Sequence, residues 1–497
     1  MSEAKRPERA IVVGGGLSGL VAALRLSQGG VEVTLVEPDR IGGKLQTSAF
    51  AGRLVDEGAD AFLLRVPWAA ALAHDLELDG ELISPAERSA HVFVGGERRT
   101  IPHGHVMGVP ADLDALAASG LLSPEGLARV AEDLHLPADP TDPHEAGTDV
   151  AVGPYLRRRL GDEVVDHLID PLLGGINAGD TATMSLAAVV PQLDAAARSG
   201  DPSLLRSCRA QLARAAAPGR NPSAGSGAVV AAIDEPAEAP PIFAAPMGGM
   251  ARFVDALVGA IPSVDVVAGR SVAVLEPGPG GRGVRAVLDD GTAIDADAAI
   301  VTTPAHVTGP LLAAVAPDAA ATFLGIDHSS VAMLTMAFAR ADLGDTTGHS
   351  GCLVPRDQGL LVTATSYGTS KWAQLRDPER DDVILRTSVG RTGDLRFTDL
   401  DDTELADEVV ADLDRILGVT GAPTEVRIGR WMRSLPQYAP GHLERIAAAE
   451  AELAPTSVRV AGMALRGVGI PACVRAAEEA VASLGVTWPT RRGLAPA

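Results

Sequence analysis

Residues 10–47 constrain this chain more than any other stretch. They read AIVVGGGLSGLVAALRLSQGGVEVTLVEPDRIGGKLQT. Ile11, Val12 and Val13 form an apolar run of the kind that makes a buried parallel strand. Gly14, Gly16 and Gly19 follow at G-x-G-x-x-G spacing, with Gly15, Leu17 and Ser18 between them. The first glycine allows a tight turn. The second lets the backbone approach a pyrophosphate, and the third lets a helix pack close to the strand. The pattern predicts that helix over 17–28, with its N–H end aimed at phosphate and with Gly29 and Gly30 stopping it. A second strand, 31–36, ends at Glu37, placed to accept hydrogen bonds from two ribose hydroxyls. Strand, turn, helix, strand and acid in this order make a dinucleotide site. An acid at that point favours an unphosphorylated ribose, as in FAD or NAD, over NADP.

Pro38 follows, and then Arg40-Ile41-Gly42-Gly43-Lys44-Leu45-Gln46-Thr47. This run resembles the second fingerprint of the FAD-containing amine oxidase and porphyrinogen oxidase superfamily, R-x-G-G-R-x-x-S/T. There the glycine pair runs beside the cofactor's phosphates. Lys44 stands where many members have arginine, so a planar fork becomes a point charge. Residues 53–63 read as a strand entering the turn Glu57-Gly58-Ala59-Asp60-Ala61. By its residues alone this is a plain loop. In the superfamily a turn of this kind approaches the flavin ring or ribityl chain.

At 497 residues the chain is long enough for more than one domain. Its aromatic content of 3% is low, so apolar pockets must be lined by aliphatic side chains. The net charge of −22 argues against nucleic-acid binding and against attraction to an anionic membrane. Arg157-Arg158-Arg159 reads as a solvated helix face. Cys208, Cys352 and Cys473 form no C-x-x-C pair, so neither a disulfide framework nor a zinc site is expected. The histidines show no H-E-x-x-H or clustered spacing, and no metal is expected. No signal peptide and no transmembrane segment are expected either, which places the chain in a reducing cytoplasm.

Further along, helices are expected over 68–80 and 111–135, and a hairpin over 90–102 turning at Gly95-Gly96. Val152, Leu156, Leu160, Val164, Leu168 and Leu172 recur every four residues. They predict one amphipathic helix over 152–173, ended by Pro171. The glycines of 174–180 imply close backbone approach. Residues 215–240 are of low complexity and read as a mobile loop. Pro246-Met247-Gly248-Gly249-Met250 caps a helix starting near 251. Strands are expected over 264–267, 271–275, 283–288, 298–302, 331–338, 360–365, 383–389 and 457–462, and a helix over 403–417. Gly467-Val468-Gly469-Ile470-Pro471 precedes a final helix, 472–484, whose N–H end can meet a cofactor carbonyl.

Several longer motifs match one family. They are PHGHVMGVP at 102–110, RRRLGDEVVDHLIDPLLGGINAGD at 157–180, PMGGM at 246–250 and GCLVP at 351–355. Ser370-Lys371-Trp372, Arg430-Trp431, PQYAPGH at 436–442 and GVGIPACV at 467–474 complete the set. With these the chain resembles the soluble bacterial coproporphyrinogen III oxidases, close relatives of the protoporphyrinogen oxidases.

The resemblance implies an α/β architecture. A discontinuous Rossmann-like FAD domain (1–83, 241–304, 440–497) is interleaved with an α+β substrate domain (84–110, 305–439). A helical lobe (111–214) and the loop 215–240 complete the chain. It implies that FAD is lined by Gly14, Gly15, Gly16, Leu17, Ser18, Gly19, Glu37, Pro38, Arg40, Gly43, Lys44, Gly58, Ala59, Asp60, Ala61, Val272, Trp431, Val468, Gly469 and Ile470. The macrocycle pocket takes Gly175, Asn177, Gly351 and Leu353, with Arg65 the candidate for a substrate carboxylate. Glycine is expected there because a Cβ would hold a flat ligand away from the flavin. Asn177 stands where many members have an aromatic residue. Met463 and Ala464 replace the usual small polar and aromatic pair, and an arginine that mitochondrial relatives carry near Ala90 is absent.

The implied reaction is a six-electron oxidation of coproporphyrinogen III to coproporphyrin III in haem biosynthesis, by FAD and dioxygen with release of hydrogen peroxide. A ferrochelatase-type partner would receive the product. No residue is assigned as a catalytic base. The alternative substrate is protoporphyrinogen IX, and a more remote alternative is a flavin amine oxidase or carotenoid desaturase. Against those last two stands the supply of only three tyrosines, Tyr155, Tyr367 and Tyr438, for an aromatic cage. Against a redox-inactive binding module stand the intact Gly14, Gly16, Gly19 and Glu37.

Overall fold

A computed structural model of the chain describes residues 6–215 and 241–489. The elements that carry the site begin with β1 (Arg9–Val13), α1 (Leu17–Gln28) and β2 (Glu32–Glu37). Next come β3 (His91–Val94), β4 (Glu97–Thr100), α2 (Val152–Leu160), α3 (Asp170–Asn177) and α4 (Ala251–Gly259). Then follow β5 (Asp265–Ala268), β6 (Ala298–Val301), α5 (Ala305–Leu312), β7 (His328–Ala339), β8 (Gly351–Leu353), β9 (Val362–Tyr367) and β10 (Asp382–Val389). The last are α6 (Asp402–Leu417), β11 (Glu425–Pro436), β12 (Val458–Val460) and α7 (Ile470–Ser483).

Two sheets organise the molecule. The first is parallel, in the order β5-β2-β1-β6-β12. Its strands come from three distant parts of the sequence, and β1 and β6 at its centre are apolar runs buried on both faces. The helices α1, α4 and α7 pack into the core it shares. The second sheet has the order β11-β7-β10-β9-β8-β3-β4 and is antiparallel except between β8 and β3. Its back face packs on α6 through Leu334, Leu385, Phe397, Leu405, Val409 and Leu413. A separate core, centred on Leu156, Leu168, Leu186 and Leu193, holds the helical lobe together.

Most expected elements appear near their predicted bounds, but the helical stretch expected over 111–135 is split at Gly120 into Leu113–Ser119 and Pro124–Ala131. The helix predicted over 152–173 is broken at Gly161, whose φ of +93° is outside the helical range. The chain then re-enters helix at Asp162 and runs on to Asn177, so Pro171 does not end it. A wide π turn over Val165–Ile169 comes just before the proline. It moves away the carbonyl that the pyrrolidine ring would otherwise strike. The long strand β11 was not anticipated, because its inward residues Arg427, Gly429 and Trp431 give no apolar alternation. The loop 215–240 lies, but for Ala215, outside the described residues.

Candidate functional site: two helix ends and a floor of small residues

The fingerprint is built as its spacing demands. A Cβ at Gly19 would fall 1.8 Å from the Gly14 carbonyl oxygen, which is the close packing of α1 on β1. Gly14 has φ +103°, and a Cβ there would meet Thr302 Oγ1 at 2.8 Å. At Gly16 a Cβ would meet nothing within 4 Å. That open space lies at the N-terminus of α1, where no side chain caps the helix. A phosphate oxygen fits there, close to the backbone. Glu37 is oriented by the same loop: Gly15 N donates to its Oε2 at 2.6 Å and Asp39 N to its Oε1 at 2.9 Å. Each carboxylate oxygen keeps capacity for a ribose hydroxyl. The residues present fit a dinucleotide.

The second glycine loop docks on the first. Gly42 N donates to Gly15 O at 2.8 Å, and a Cβ at Gly43 would lie 3.2 Å from Gly16 Cα. Lys44 turns away to donate from Nζ to the carbonyl of Ser434, at 2.5 Å. Burial lowers its pKa. Arg40 and Pro38 are exposed beside this loop, and Arg40 bonds Gln46. Val272 is buried at the start of a strand in a separate three-stranded antiparallel sheet.

The late glycine turn arrives beside the fingerprint. Ser18 Oγ donates to Cys473 O at 3.1 Å, which joins the first turn of α1 to that of α7. Gly469 is the N-cap of α7, again without a side-chain cap, and Val468 is half-buried before it. Ile470 is buried as the first helical residue. Tyr438 fixes the turn: Gly467 N donates to its hydroxyl at 3.0 Å, and the hydroxyl donates to Met463 O. Two uncapped helix ends thus converge on one locus.

The turn 57–61 is held from the second sheet. The Asp60 carboxylate takes Lys371 Nζ at 2.9 Å, Arg386 Nη1 at 2.9 Å and Trp372 Nε1 at 3.1 Å. Burial would raise its pKa, but Lys371 and Arg386 outweigh this and hold it below the usual carboxylate range. Arg386 also donates to Gly58 O. Asp60 was expected to line the cofactor. Its side chain instead anchors the turn, whose backbone at Gly58, Ala59 and Ala61 remains at the site. The sequence singled out Lys371 and Trp372 without a role. Arg386 was missed, because only strand pairing brings it here.

The front face of the second sheet is a floor of small residues. Register sets Gly351 beside Ser366, and Leu353 beside Ala364 and then Ser388, Met333 and Gly429. Leu353, Ala364, Ser366, Ser388, Met333 and Gly429 are all half-buried. Trp431 closes one end, 3.9 Å from where a Cβ of Gly58 would be, with its Nε1 buried and without a hydrogen-bond partner. The end of α3 forms the opposite edge. Gly175 and Ile176 are exposed there, and a Cβ at Gly175 would touch Leu353 Cδ2 at 3.5 Å.

Two expectations about the pocket are corrected. Gly351 is glycine because a Cβ would lie 2.5 Å from Thr365 O on the neighbouring strand, not because of a ligand. Asn177 spends its side chain on its own helix, donating from Nδ2 to Leu173 O at 2.9 Å. Arg65 is half-buried after the short strand Phe62–Leu63. Among the described residues no cluster of side chains has the make-up of a metal site.

Comparison with known proteins agrees with this geometry. The family model of flavin containing amine oxidoreductases matches residues 17–484. A Coproporphyrinogen III oxidase of Bacillus subtilis is 31% identical, covering 97% of this chain and 98% of its own. One of Mycobacterium tuberculosis is 34% identical, with 96% and 97% covered. A solved structure from Exiguobacterium sp. 255-15, assigned as a protoporphyrinogen oxidase, superposes with a TM-score of 0.81 at 29% identity, covering 96% of this chain and 98% of that one. The chain belongs to the flavin-containing amine oxidoreductases and, within them, to the coproporphyrinogen III oxidase family.

Proposed function

We propose that this protein oxidises coproporphyrinogen III to coproporphyrin III in haem biosynthesis, with dioxygen as acceptor. It is a flavoprotein oxidoreductase, and FAD is its cofactor. The observation that carries the reading is the floor of small side chains beside the fingerprint, in a chain whose relatives carry this name over their whole length. A flat macrocycle can lie on Leu353, Ala364 and Ser388 with one edge at Gly175. The floor offers no aromatic cage for an amine.

When bound, FAD accepts a hydride equivalent in each of three two-electron steps and returns the electrons to dioxygen as hydrogen peroxide. The protein's own part is to bind, orient and exclude water. Gly14, Gly15, Gly16, Leu17, Ser18 and Gly19 hold the diphosphate, and Glu37 holds the ribose. Gly43, Lys44, the backbone of 58–61, Trp431 and Val468 to Ile470 flank the rest, with Val272 at the adenine end. Gly175, Leu353 and Arg65 serve the substrate. The same reading places the enzyme in the cytoplasm and hands its product to a ferrochelatase-type partner. No described helix is long and apolar enough to cross a membrane.

The test is an aerobic fluorescence assay comparing kcat/KM for coproporphyrinogen III and protoporphyrinogen IX. Preference for the four-propionate substrate is expected. Preference for protoporphyrinogen IX overturns the substrate, and no turnover of either by FAD-loaded protein overturns the reading.

A further inference from the structure

β11 ends at Pro436, and the run PQYAPGH at 436–442 carries the chain into the next helix, His442–Leu453. Gly441, at φ +77°, turns the backbone into that helix. The turn brings two buried rings together. Tyr438 and His442 stack with centroids 4.2 Å apart and planes 21° apart. Their polar atoms converge on one stretch of backbone, 463–467. The Tyr438 hydroxyl donates to Met463 O and accepts from Gly467 N at 3.0 Å. His442 Nε2 lies 2.8 Å from Leu465 O. A carbonyl only accepts, so Nε2 carries a proton there.

That stretch needs holding. It contains the short helix Met463–Arg466, with Gly462 at φ +116° before it and Gly467 at φ +135° after it. Two glycines in such conformations give the segment a pivot at each end. Beyond Gly467 lies the uncapped N-terminus of α7, with Gly469 as its N-cap. A swing of the short helix about its glycines would carry that end with it. Ser18 ties α7 down only further on, at Cys473 O. The two rings supply the rest, because their bonds take the first, third and last residues of 463–467.

The clamp is itself anchored. Ser185 N donates to Tyr438 O at 2.7 Å, and Gly441 N to Asp149 Oδ2 at 2.8 Å. Ser185 Oγ reaches the same carboxylate oxygen at 2.6 Å, so the helical lobe holds the run on one side. Gln437 N donates to Asp327 O at 2.8 Å, and Gln437 Nε2 to Asn177 O at 3.0 Å. Phenylalanine would fill the space of Tyr438 equally well. What the hydroxyl adds is its two bonds to the turn.

We propose that Tyr438 is a positioning residue for flavin reduction: its hydroxyl, supported by His442, fixes the uncapped end of α7, and that end sets how readily the bound cofactor takes electrons. This rests on the functional reading above, in which FAD lies along the two uncapped helix ends. A helix N-terminus carries about half an elementary positive charge. Negative charge gathered on the cofactor's ring during reduction is stabilised best by a dipole already held in place, and less by one that must first reorient.

The test uses the full-length FAD-loaded protein. The flavin midpoint potential is read by reduction against a reference dye, followed at the flavin absorption band. Tyr438→Phe keeps the ring and its stack and removes both hydroxyl bonds. Loosening worth one hydrogen bond changes the balance of reduced over oxidised flavin about tenfold. For a two-electron couple that is about 30 mV. The potential of Tyr438→Phe is expected to fall by that amount with FAD still bound. His442→Phe leaves the hydroxyl in place and is expected to shift the potential the same way by less; it carries the test if Tyr438→Phe does not fold. Asp133→Asn breaks a buried pair with Arg159 in the helical lobe, and is expected to lower thermal melting without moving the potential. An unchanged potential in the flavin-loaded ring variants overturns the proposal, and so does an equal fall in Asp133→Asn. The potential needs neither turnover nor a porphyrin, so a failure of the proposed reaction is seen separately. The flavin content of Gly16→Ala tests, on its own, whether FAD lies at the helix ends.

Discussion

The Lys371 ammonium stands 2.9 Å from Oδ2 of Asp60, and from the short helix that follows β9 it holds the turn beside the fingerprint. Arg386 closes on the same oxygen from β10. Asp60→Asn leaves two inward cations without their acid, and breaking a buried pair in this way costs about 3 kcal/mol. Thermal melting at neutral pH reads the loss. The pH dependence has a defined sign. The carboxylate's pKa is held down in the folded state, so its stabilisation is present above the ordinary aspartate range and is lost as pH falls below it. Asp60→Asn therefore melts lower than wild type at pH 7, and the gap narrows on acidification. A gap that is constant with pH would mean that Asp60 contributes only hydrogen bonds.

Gly16 and Gly19 sit three residues apart and should fail in different ways. A Cβ at Gly19 collides with Gly14 O, whereas one at Gly16 enters open space. Gly19→Ala is expected to be insoluble or to melt well below wild type. Gly16→Ala is expected to fold, to melt like flavin-free wild type, and to lack the yellow flavin absorption band. A Gly16→Ala protein that purifies with full flavin would show that the open space is not where the diphosphate lies.

The contrast between these glycines and the floor shows what could be read from the sequence. The fingerprint is local: strand, turn, helix and acid all lie between Arg9 and Glu37, and each glycine's duty follows from spacing. The floor is not local. Gly351 comes to Ser366, and Ala364 to Ser388, Met333 and Gly429, only through strand register across distant segments. Arg386 is invisible for the same reason, one basic residue in a strand of mixed character. Asn177 was readable as a polar residue in a glycine-rich run, but not as one that bonds back to Leu173. The break at Gly161 was hidden by an apolar stripe that keeps its phase on both sides of it.

Ala364 tests the floor directly. It is half-buried on the front face, while its neighbour Thr365 is fully buried on the back against Thr387. Ala364→Phe should project into the pocket, leave flavin content and melting temperature near wild type, and lower kcat/KM. An added ring in a packed contact costs about 2 kcal/mol, or roughly thirtyfold in kcat/KM. Unchanged kinetics would place the substrate elsewhere on the sheet.

The far edge of the pocket is fixed by groups from the loops that follow the strands of the second sheet. Gln437 Nε2 donates to Asn177 O at 3.0 Å, Thr392 N to Ala178 O at 2.9 Å, and Arg356 Nη2 to Gly179 O at 2.5 Å. Arg356 also holds the buried Asp170 at the start of α3 and the Thr392 carbonyl. One guanidinium thus spans both ends of the helix that carries Gly175. Arg356→Met removes all three bonds while keeping the aliphatic stem, at a cost of about 2 kcal/mol for the lost charged contacts. The edge should then wander, so KM for the porphyrinogen rises while kcat at saturation stays within a factor of about two, because no reacting atom is touched. Arg356→Lys should fall between, since a single ammonium cannot reach three separated acceptors at once. A fall in kcat at unchanged KM would instead mean that Arg356 acts on the reaction itself, and that the helix end does not need its clamp.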